Sequence, residues 1–459
     1  MDIVLLSRIQ FAFHIAFHYL FPPLTIGLSL LMVIMEGSYL ITKQPIYEKM
    51  TKFWVHIFAI IFAVGVATGL VQVFAFGTNW ENFSRFVGDV FGSILGAEGV
   101  FAFFLESGFI ALLLFGWNKV GPKTHFFSTL MVAIGSHFSG IWIVAANSWM
   151  QTPAGYKIIG EGAERHAVMT KWWEAVNNPS TIDRLIHVLI GCWLAGAFLV
   201  LSVSAYYLLK NRHYDFARKA FRLSLIMATF FVVAQALSGD ATGRLVAKVQ
   251  PIKLAAMEGV FETETPSRMM VVGVANEKER ATKGLSIPGL LSFLVYRNVH
   301  EAVPGLNQVP EELWPPVGTV FQVYHIMLYM WGCMVVTCIL AWIAFAKKRK
   351  TSARWMLWVC VFSVLFPEIA NQMGWFTAEI GRQPWVVYGL MRTADGATHH
   401  LHPGQIIFSL GLFLLVYALL FAMFVYLLDR KIKHGPDDSS VYDEYRDPYK
   451  MKDSLRQIS

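Results

Sequence analysis

Charged residues make up only 15% of this 459-residue sequence, and cysteine occurs four times. So little charge cannot cover the surface of a soluble protein of this length, which excludes an ordinary water-soluble fold. Cys192, Cys333, Cys338 and Cys360 are spread through apolar runs with no CxxC pair. That excludes a disulfide framework and a thiolate metal site, and leaves them as small apolar fillers. There is no phosphate-binding P-loop, no dinucleotide fingerprint and no internal repeat. The first apolar stretch is preceded by Asp2 and has neither a basic leader nor a small-residue cleavage site, so it is expected to be retained rather than removed as a signal peptide.

What fills the sequence instead is 55% hydrophobic residues, with 36 Phe and 15 Trp. The expected fold is an all-α polytopic membrane protein of about nine transmembrane helices. Apolar spans are read near residues 10–41, 54–77, 91–117, 125–148, 183–209, 218–239, 318–346, 354–380 and 404–428. Lys and Arg dominate the turns after spans one, three, five and seven and the Arg430–Lys433 exit, where the acids are only Glu48, Asp215 and Asp429. Basic turns stay cytoplasmic, so the N-terminus is expected outside and the C-terminus inside. The +7 net charge is thus a topology signal, with no support for nucleic-acid binding. Helices 1–6 occupy residues 1–240, an extracytoplasmic loop 241–317, helices 7–9 residues 318–430, and a polar, poorly ordered cytoplasmic tail 431–459.

Polar groups inside such spans mark function. Glu368, Gln372, Trp375, Glu379 and Arg382 step by four, three, four and three, which places them on one helix face. An interfacial anchor explains a Trp and a snorkelling Arg, but not two carboxylates on the same stripe. Span one carries His14 and His18 on one face above the Pro22-Pro23 pair, which should kink the helix. Either histidine could be a packed hydrogen-bonding group or an axial heme ligand. Glu98 and Glu106 in span three lie eight residues apart, about 12 Å along a helix. They read as a proton relay or as acids hydrogen-bonded to Ser or Trp. His137 reads as a packed histidine. His187 and Met327, each near the outer end of its span, offer an imidazole and a thioether, a known axial pair for low-spin heme. On the charge-derived topology, His18, Glu98, His187, Met327 and Glu379 fall at one depth in the outer half of the membrane.

The long loop holds Lys253 and Glu258 around an apolar helical turn, suited to an amphiphilic head group meeting a base; a solvated cap is the plainer reading. His399, His400 and His402 in the last outer loop read as a solvated His-rich segment rather than a metal site. Glu368 lies eleven residues before Glu379, about 16 Å deeper. Beside Pro367, which should leave a carbonyl one turn earlier unbonded, it reads as an extension of a proton supply.

The motifs Gly374-Trp-Phe-Thr-Ala-Glu379-Ile-Gly-Arg382-Gln-Pro-Trp385, Thr51-Lys-Phe-Trp54, Gly77-Thr-Asn-Trp80, Phe103-Phe-Leu-Glu106-Ser and Lys253-Leu-Ala-Ala-Met-Glu258 give the chain a resemblance to subunit I of the cytochrome bd-type quinol oxidases over nearly its whole length. The resemblance implies that His187 and Met327 are axial ligands of a low-spin heme b. It implies that His18 and Glu379 ligate a high-spin heme b and a heme d (or a second high-spin b-type heme), with Trp375 and Arg382 around the cluster. Glu98 and Glu106 would be proton-path acids, and Lys253 and Glu258 the quinol-oxidation site, in a loop outside the heme layer. Two features depart from some members: His325 stands where they have Arg, and the loop lacks their long insertion, as in a short-loop, cyanide-insensitive-like branch. The implied partners are a subunit II, a small single-span accessory subunit, ubiquinol or menaquinol, and O2, in the bacterial cytoplasmic membrane. The implied reaction oxidises quinol at the outer face and reduces O2 to water, charging the membrane without a pump. A proton-coupled transporter would explain the acids but predicts a repeat, and a heme-bearing dehydrogenase anchor would need paired histidines on facing helices.

Overall fold

The structure, a computed structural model, describes residues 2–346 and 354–436. The expected tail lies outside the described residues beyond 436. Among those residues, nine helical segments are long and apolar enough to cross a membrane.

The first span is two helices, α1 (Ile3–His18) and α2 (Pro22–Thr42), because Pro22 and Pro23 cannot continue α1 but can open α2. It is followed by α3 (Pro45–Asn79). The third span runs from α4 (Glu81–Glu98) through a π-helical turn, Gly99–Phe103, into α5 (Phe104–Phe115). Next come α6 (Pro122–Gln151), a hairpin of β1 (Tyr156–Ile159) and β2 (His166–Met169), and the short α7 (Trp172–Val176). Helices α8 (Thr181–Lys210) and α9 (Tyr214–Val249) form spans five and six. The expected loop then folds into α10 (Pro251–Glu258), a hairpin of β3 (Met269–Asn276) and β4 (Ala281–Ile287), and α11 (Leu290–Tyr296). The seventh span is α12 (Val317–Ala346), and the eighth is again broken, into α13 (Arg354–Phe362) and α14 (Leu365–Ile380). A small hairpin of β5 (Trp385–Val387) and β6 (Met391–Arg392) and the one-turn α15 (Thr393–Gly396) lead to α16 (Pro403–His434). All three hairpins are antiparallel and lie between spans.

Odd and even connections segregate as the charge pattern requires. At one end, Lys219 Nζ donates to Gln44 Oε1 (2.5 Å), Arg212 donates to the Lys433 carbonyl (2.8 Å) and Tyr207 to that of Ile432 (2.7 Å). These bonds join the α2–α3 turn, the α8–α9 turn and the end of α16 into one basic face. At the other end, Gln250 binds the Gln151 carbonyl and Thr398 binds that of Asn79, forming a loop-bearing face.

Helix α8 is the centre, packed against α2, α6, α9, α13 and α14. Its contact with α2 is backbone on backbone: a Cβ on Gly196 would lie 2.2 Å from the Gly27 carbonyl carbon, and one on Gly27 2.1 Å from the Cys192 oxygen. By contrast α16 turns Phe408, Leu415, Leu419 and Tyr426 outward, as a helix solvated by lipid does. The loop is not a solvated cap, since Leu254, Ala255, Phe261 and Met270 form a core with Val317 and Phe321 of α12.

Gly196→Val is expected to cost more than about 3 kcal/mol, the upper end of ordinary overpacking. Gly411→Ala, on the open face of α16 with nothing within 4 Å, should be neutral. Thermal unfolding of the detergent-solubilised variants checks the pair, and equal melting temperatures would contradict the close crossing.

Candidate functional site

The loop-side end of α14 carries the densest polar cluster. Arg382, in the turn after the helix, reaches back so that its Nη2 donates to Glu379 Oε2. Asn147 of α6 donates to Glu379 Oε1 (2.9 Å), while Arg184 of α8 donates to Asn147 Oδ1 and to Ser148 Oγ (2.9 Å). Lys253 of α10 donates to Gln151 Oε1 (2.5 Å), and Gln151 in turn binds the Ala378 carbonyl. Lys253 is only 6% exposed, and a Cβ on Gly381 would meet its Cγ at 3.0 Å. Lys253 therefore belongs to the Glu379 cluster instead of standing apart in the loop. Burial first, then the neighbouring Arg382 and Arg184, hold its amine well below the usual lysine range. Two arginines and a lysine surround one carboxylate, and Arg382 Nη1 is buried with no partner. An excess of buried donors of this kind fits an anionic ligand group.

Around that cluster the histidines differ in what their rings have left to give. His18 Nδ1 lies 3.1 Å from Thr68 Oγ1, whose own proton goes to the Val64 or Gly65 carbonyl. The hydroxyl must accept, so Nδ1 carries the proton and the Nε2 lone pair is left for another partner. His187 repeats this: Nδ1 meets Ser238 Oγ at 2.8 Å, and its Nε2 faces a donor, the Gln235 amide, at 3.1 Å. His137 has both nitrogens engaged, with Ala133 O (2.7 Å) and Trp193 Nε1 (2.9 Å), and is the packed histidine expected. His325 is likewise engaged by the Phe321 (2.8 Å) and Met270 (3.0 Å) carbonyls, tying α12 to β3. A glycine also faces three of the four ligand candidates: Cβ atoms on Gly69, Gly239 and Gly374 would stand 3.0 Å from His18 Cε1, 3.6 Å from His187 Cε1 and 3.0 Å from Met327 Sδ. The oriented His18 and His187 rings, with glycines where bulk would crowd them, fit ligation of heme iron.

The carboxylates of span three are both held by α6. Ser136 donates to Glu106 and Ser139 donates to Glu98 (2.6 Å), and these serines are one turn apart on α6. The π-helical turn between the acids adds a residue to the winding and re-aims them, as such bulges do at functional sites. Helix α6 also supplies His125 (2.6 Å) and Thr129 (2.5 Å) to a buried carboxylate, Glu36 of α2, near the basic face.

Other expectations need adjustment. Gln372 Nε2 donates to the Ala16 carbonyl (2.8 Å), seven residues before Glu379 on α14. His18 therefore lies roughly 10 Å deeper than Glu379 at 1.5 Å per residue, so the layer is not flat. Pro367 leaves no free carbonyl one turn back, because the helix breaks there and Ser363 O accepts from Phe366 N–H (3.1 Å). Trp375 is half-buried beside Phe376 and makes no hydrogen bond within the cluster. His402 caps α16 and His400 sits 3.8 Å from Glu81 on the surface. No group of three metal-ligating side chains occurs among the described residues. Arg184, Asn147 and Gln151 were not assigned from sequence. Arg184 had a signal, a cation one turn before His187 on the same face; the other two did not.

At the loop, Glu258 is 3% exposed and accepts from Tyr324 of α12, three residues before Met327, while its Oε2 has no partner. Burial, opposed by the Tyr324 bond, pushes its carboxyl up to about 7.

Residues 6–436 match the profile of cytochrome bd terminal oxidase subunit I. The chain belongs to this family. It is 37% identical over 454 residues to the cytochrome bd ubiquinol oxidase subunit 1 of Bacillus subtilis, covering 96% of each chain. To the cytochrome bd-II ubiquinol oxidase subunit 1 of Escherichia coli it is 33% identical over 502 residues, covering 95% of this chain and 97% of that one. The bd oxidase structure from Geobacillus thermodenitrificans superposes with a TM-score of 0.87 at 31% identity, over 95% of this chain and 99% of that one. A cytochrome bd subunit I is a multi-pass membrane component of a quinol oxidase, an oxidoreductase whose family implies heme cofactors. Family membership decides against the transporter and dehydrogenase-anchor readings.

The raised Glu258 carboxyl sets a sign for stability. Folded protein binds more protons than unfolded between about 4.5 and about 7, so this group's contribution falls as pH rises through that window. Hydrogen exchange at α10 should speed up over the window beyond the intrinsic base dependence, and Glu258→Gln should abolish that excess.

Proposed function

We propose that quinol is oxidised at α10, between Lys253 and Glu258, and that its electrons reach O2 through hemes held by His187, Met327, His18 and Glu379. The observation that carries this reading is the position of α10. Lys253 joins the Glu379–Arg382–Arg184 cluster through Gln151, and Glu258 leans on Tyr324 one turn from Met327. One short buried helix thus touches both ligand neighbourhoods.

Quinol gives up two protons and two electrons. Lys253, whose amine burial holds below the usual lysine range, meets one quinol hydroxyl, and Glu258, poised near neutral pH, takes the proton of the other. His187 and Met327 would hold a low-spin heme b, and His18 and Glu379 a high-spin heme b and a heme d or second high-spin b-type heme. Arg382, Arg184 and Lys253 would meet the anionic substituents. When bound, these groups supply one-electron transfer and oxygen binding. Glu106 and Glu98, held by Ser136 and Ser139 respectively, carry protons from the basic face, taken as cytoplasmic. Quinol protons leave on the loop-bearing face, taken as outside. Two quinols and one O2 balance four electrons and four protons, and the separation of sides charges the membrane without pumping.

The matched relatives are named as subunits 1, and we place this chain beside a subunit II and a small single-span subunit in the bacterial cytoplasmic membrane. Both ubiquinol and menaquinol fit the site. The short loop fits a cyanide-insensitive-like branch.

Met327→Leu preserves volume but removes the thioether. In the dithionite-reduced optical spectrum the low-spin bands should be lost or become high-spin, with the other heme bands kept; unchanged low-spin bands would remove Met327 from the ligand set. Glu258→Gln should lower quinol turnover by about a hundredfold, the usual worth of a positioned base, and flatten the rise in rate near pH 7. Stopped-flow reduction by quinol at several pH values reads both, and loss of heme in this variant would make the residue structural instead.

A further inference from the structure

Glu368 is a deep acid on α14 that the steps above do not use. It lies in the first turn of the helix, just past the break at Ser363–Val364 and near the middle of the span. Both of its carboxylate oxygens are buried, and neither has a hydrogen-bond partner. Buried polar groups are ordinarily satisfied, so an acid left bare in the interior is a marked exception. One turn further along the same face, Gln372 spends its amide on the Ala16 carbonyl while its Oε1 is also buried without a partner. Two orphaned acceptors on one face therefore open toward the same interior space.

The groups that face Glu368 from the packed elements are few. From the α1–α2 break comes the Tyr19 side chain, and from α8 the Cys192 thiol, both within electrostatic reach of the carboxyl. From α12 the neighbour of α14 is Met327, lodged against Gly374. Among the described residues no Lys, Arg or His acts on Glu368. Tyr19 is also within reach of Arg184, and Gln372 is bonded two residues from His18, so this face leads from Glu368 to both edges of the Glu379 cluster.

We propose that Glu368 is a second proton-delivery site, separate from Glu106 and Glu98 and on the opposite side of the ligand cluster. It rests on the oxidase reading given above. The carboxylate takes up one proton from the basic face through the break between α13 and α14. It releases that proton along the Gln372–Tyr19 face to oxygen being reduced, and returns unchanged. The electrons come from quinol, so nothing further is consumed.

The test uses the complete oxidase in its own membrane, as wild type, Glu368→Gln and Glu368→Asp. Glutamine keeps shape and hydrogen bonding but cannot carry a proton by ionising. With saturating quinol, oxygen uptake by Glu368→Gln should fall at least about tenfold, less than the roughly hundredfold worth of a group at the reacting atoms. The deficit should grow toward alkaline pH, with heme bands intact. The redox-induced infrared difference spectrum should lose a carboxyl C=O band, and Glu368→Asp should restore uptake with that band shifted. Wild-type uptake at every pH overturns the proposal, as does slower uptake with an unaltered infrared difference, which is a structural effect. Should Glu368→Gln not assemble, the aspartate variant decides: a shifted band supports the site and an unmoved one overturns it. A wild-type complex without heme bands would sink the oxidase reading itself, a different outcome.

Discussion

A carboxylate inside a bilayer must be given hydrogen bonds by protein, because lipid offers none. In this fold that requirement is met largely by one helix. Along α6, His125 and Thr129 serve Glu36, Ser136 serves Glu106, Ser139 serves Glu98, and Asn147 serves Glu379. The donors recur at helical spacing, so they form one stripe. The acids they serve come from α2, α5, the end of α4 and α14. Polar groups from four other elements are thus registered against a single ruler running from the basic face to the loop-bearing face. Moving α6 would strip donors from four acids at once and leave Glu379 only Arg382, which explains why so many small hydroxyl residues sit in a helix otherwise rich in apolar ones.

Preparation of the ligand candidates follows the same logic from other helices. Thr68 of α3 fixes the tautomer of His18, and Ser238 of α9 that of His187, in each case a hydroxyl whose own proton is given to its backbone. Glycines on α3, α9 and α14 keep the space beside His18, His187 and Met327. A side chain that offers a lone pair is therefore paired with a neighbour that orients it and a neighbour that stays small. His137 and His325 have both ring nitrogens engaged and serve packing; His187 is engaged too, by Ser238 and Gln235, but a glycine faces its ring, as one faces that of His18.

Sequence carried the fold far because its signals are local. Hydropathy located the spans, Pro22-Pro23 located the first break, and the basic turns sorted the connections onto two faces. The candidate site was legible where chemistry is rare in a membrane, at His18, His187, Glu98, Glu106 and the Glu379–Arg382 stripe. What sequence could not carry was convergence. Eight residues between Glu98 and Glu106 gave their spacing along the helix, but not the π-helical turn between them or the two serines, one turn apart on α6, that hold both. Asn147 and Gln151 look like ordinary end-of-helix amides until α14 and α10 are packed on them. Pro367 signalled an opened carbonyl, whereas the chain answered with a full break in the span.

The placement of α10 connects these parts. A loop that only capped the bundle would need apolar contact with α12 alone, and Leu254 and Phe261 provide that. Burying Lys253 and Glu258 on the same eight-residue helix is costly unless each meets a partner. Their partners lie on different helices: Gln151 of α6 for the amine, Tyr324 of α12 for the carboxyl. The Gln151 amide continues to the Ala378 carbonyl on the turn that holds Glu379, and Tyr324 shares a face of α12 with Met327. On the proposed function, an acid and a base that exchange protons with one substrate are thereby held at fixed distances from two separate ligand positions. Rigid suspension between α6 and α12 is what a site coupling proton release to electron transfer requires, and a flexible surface loop could not provide it.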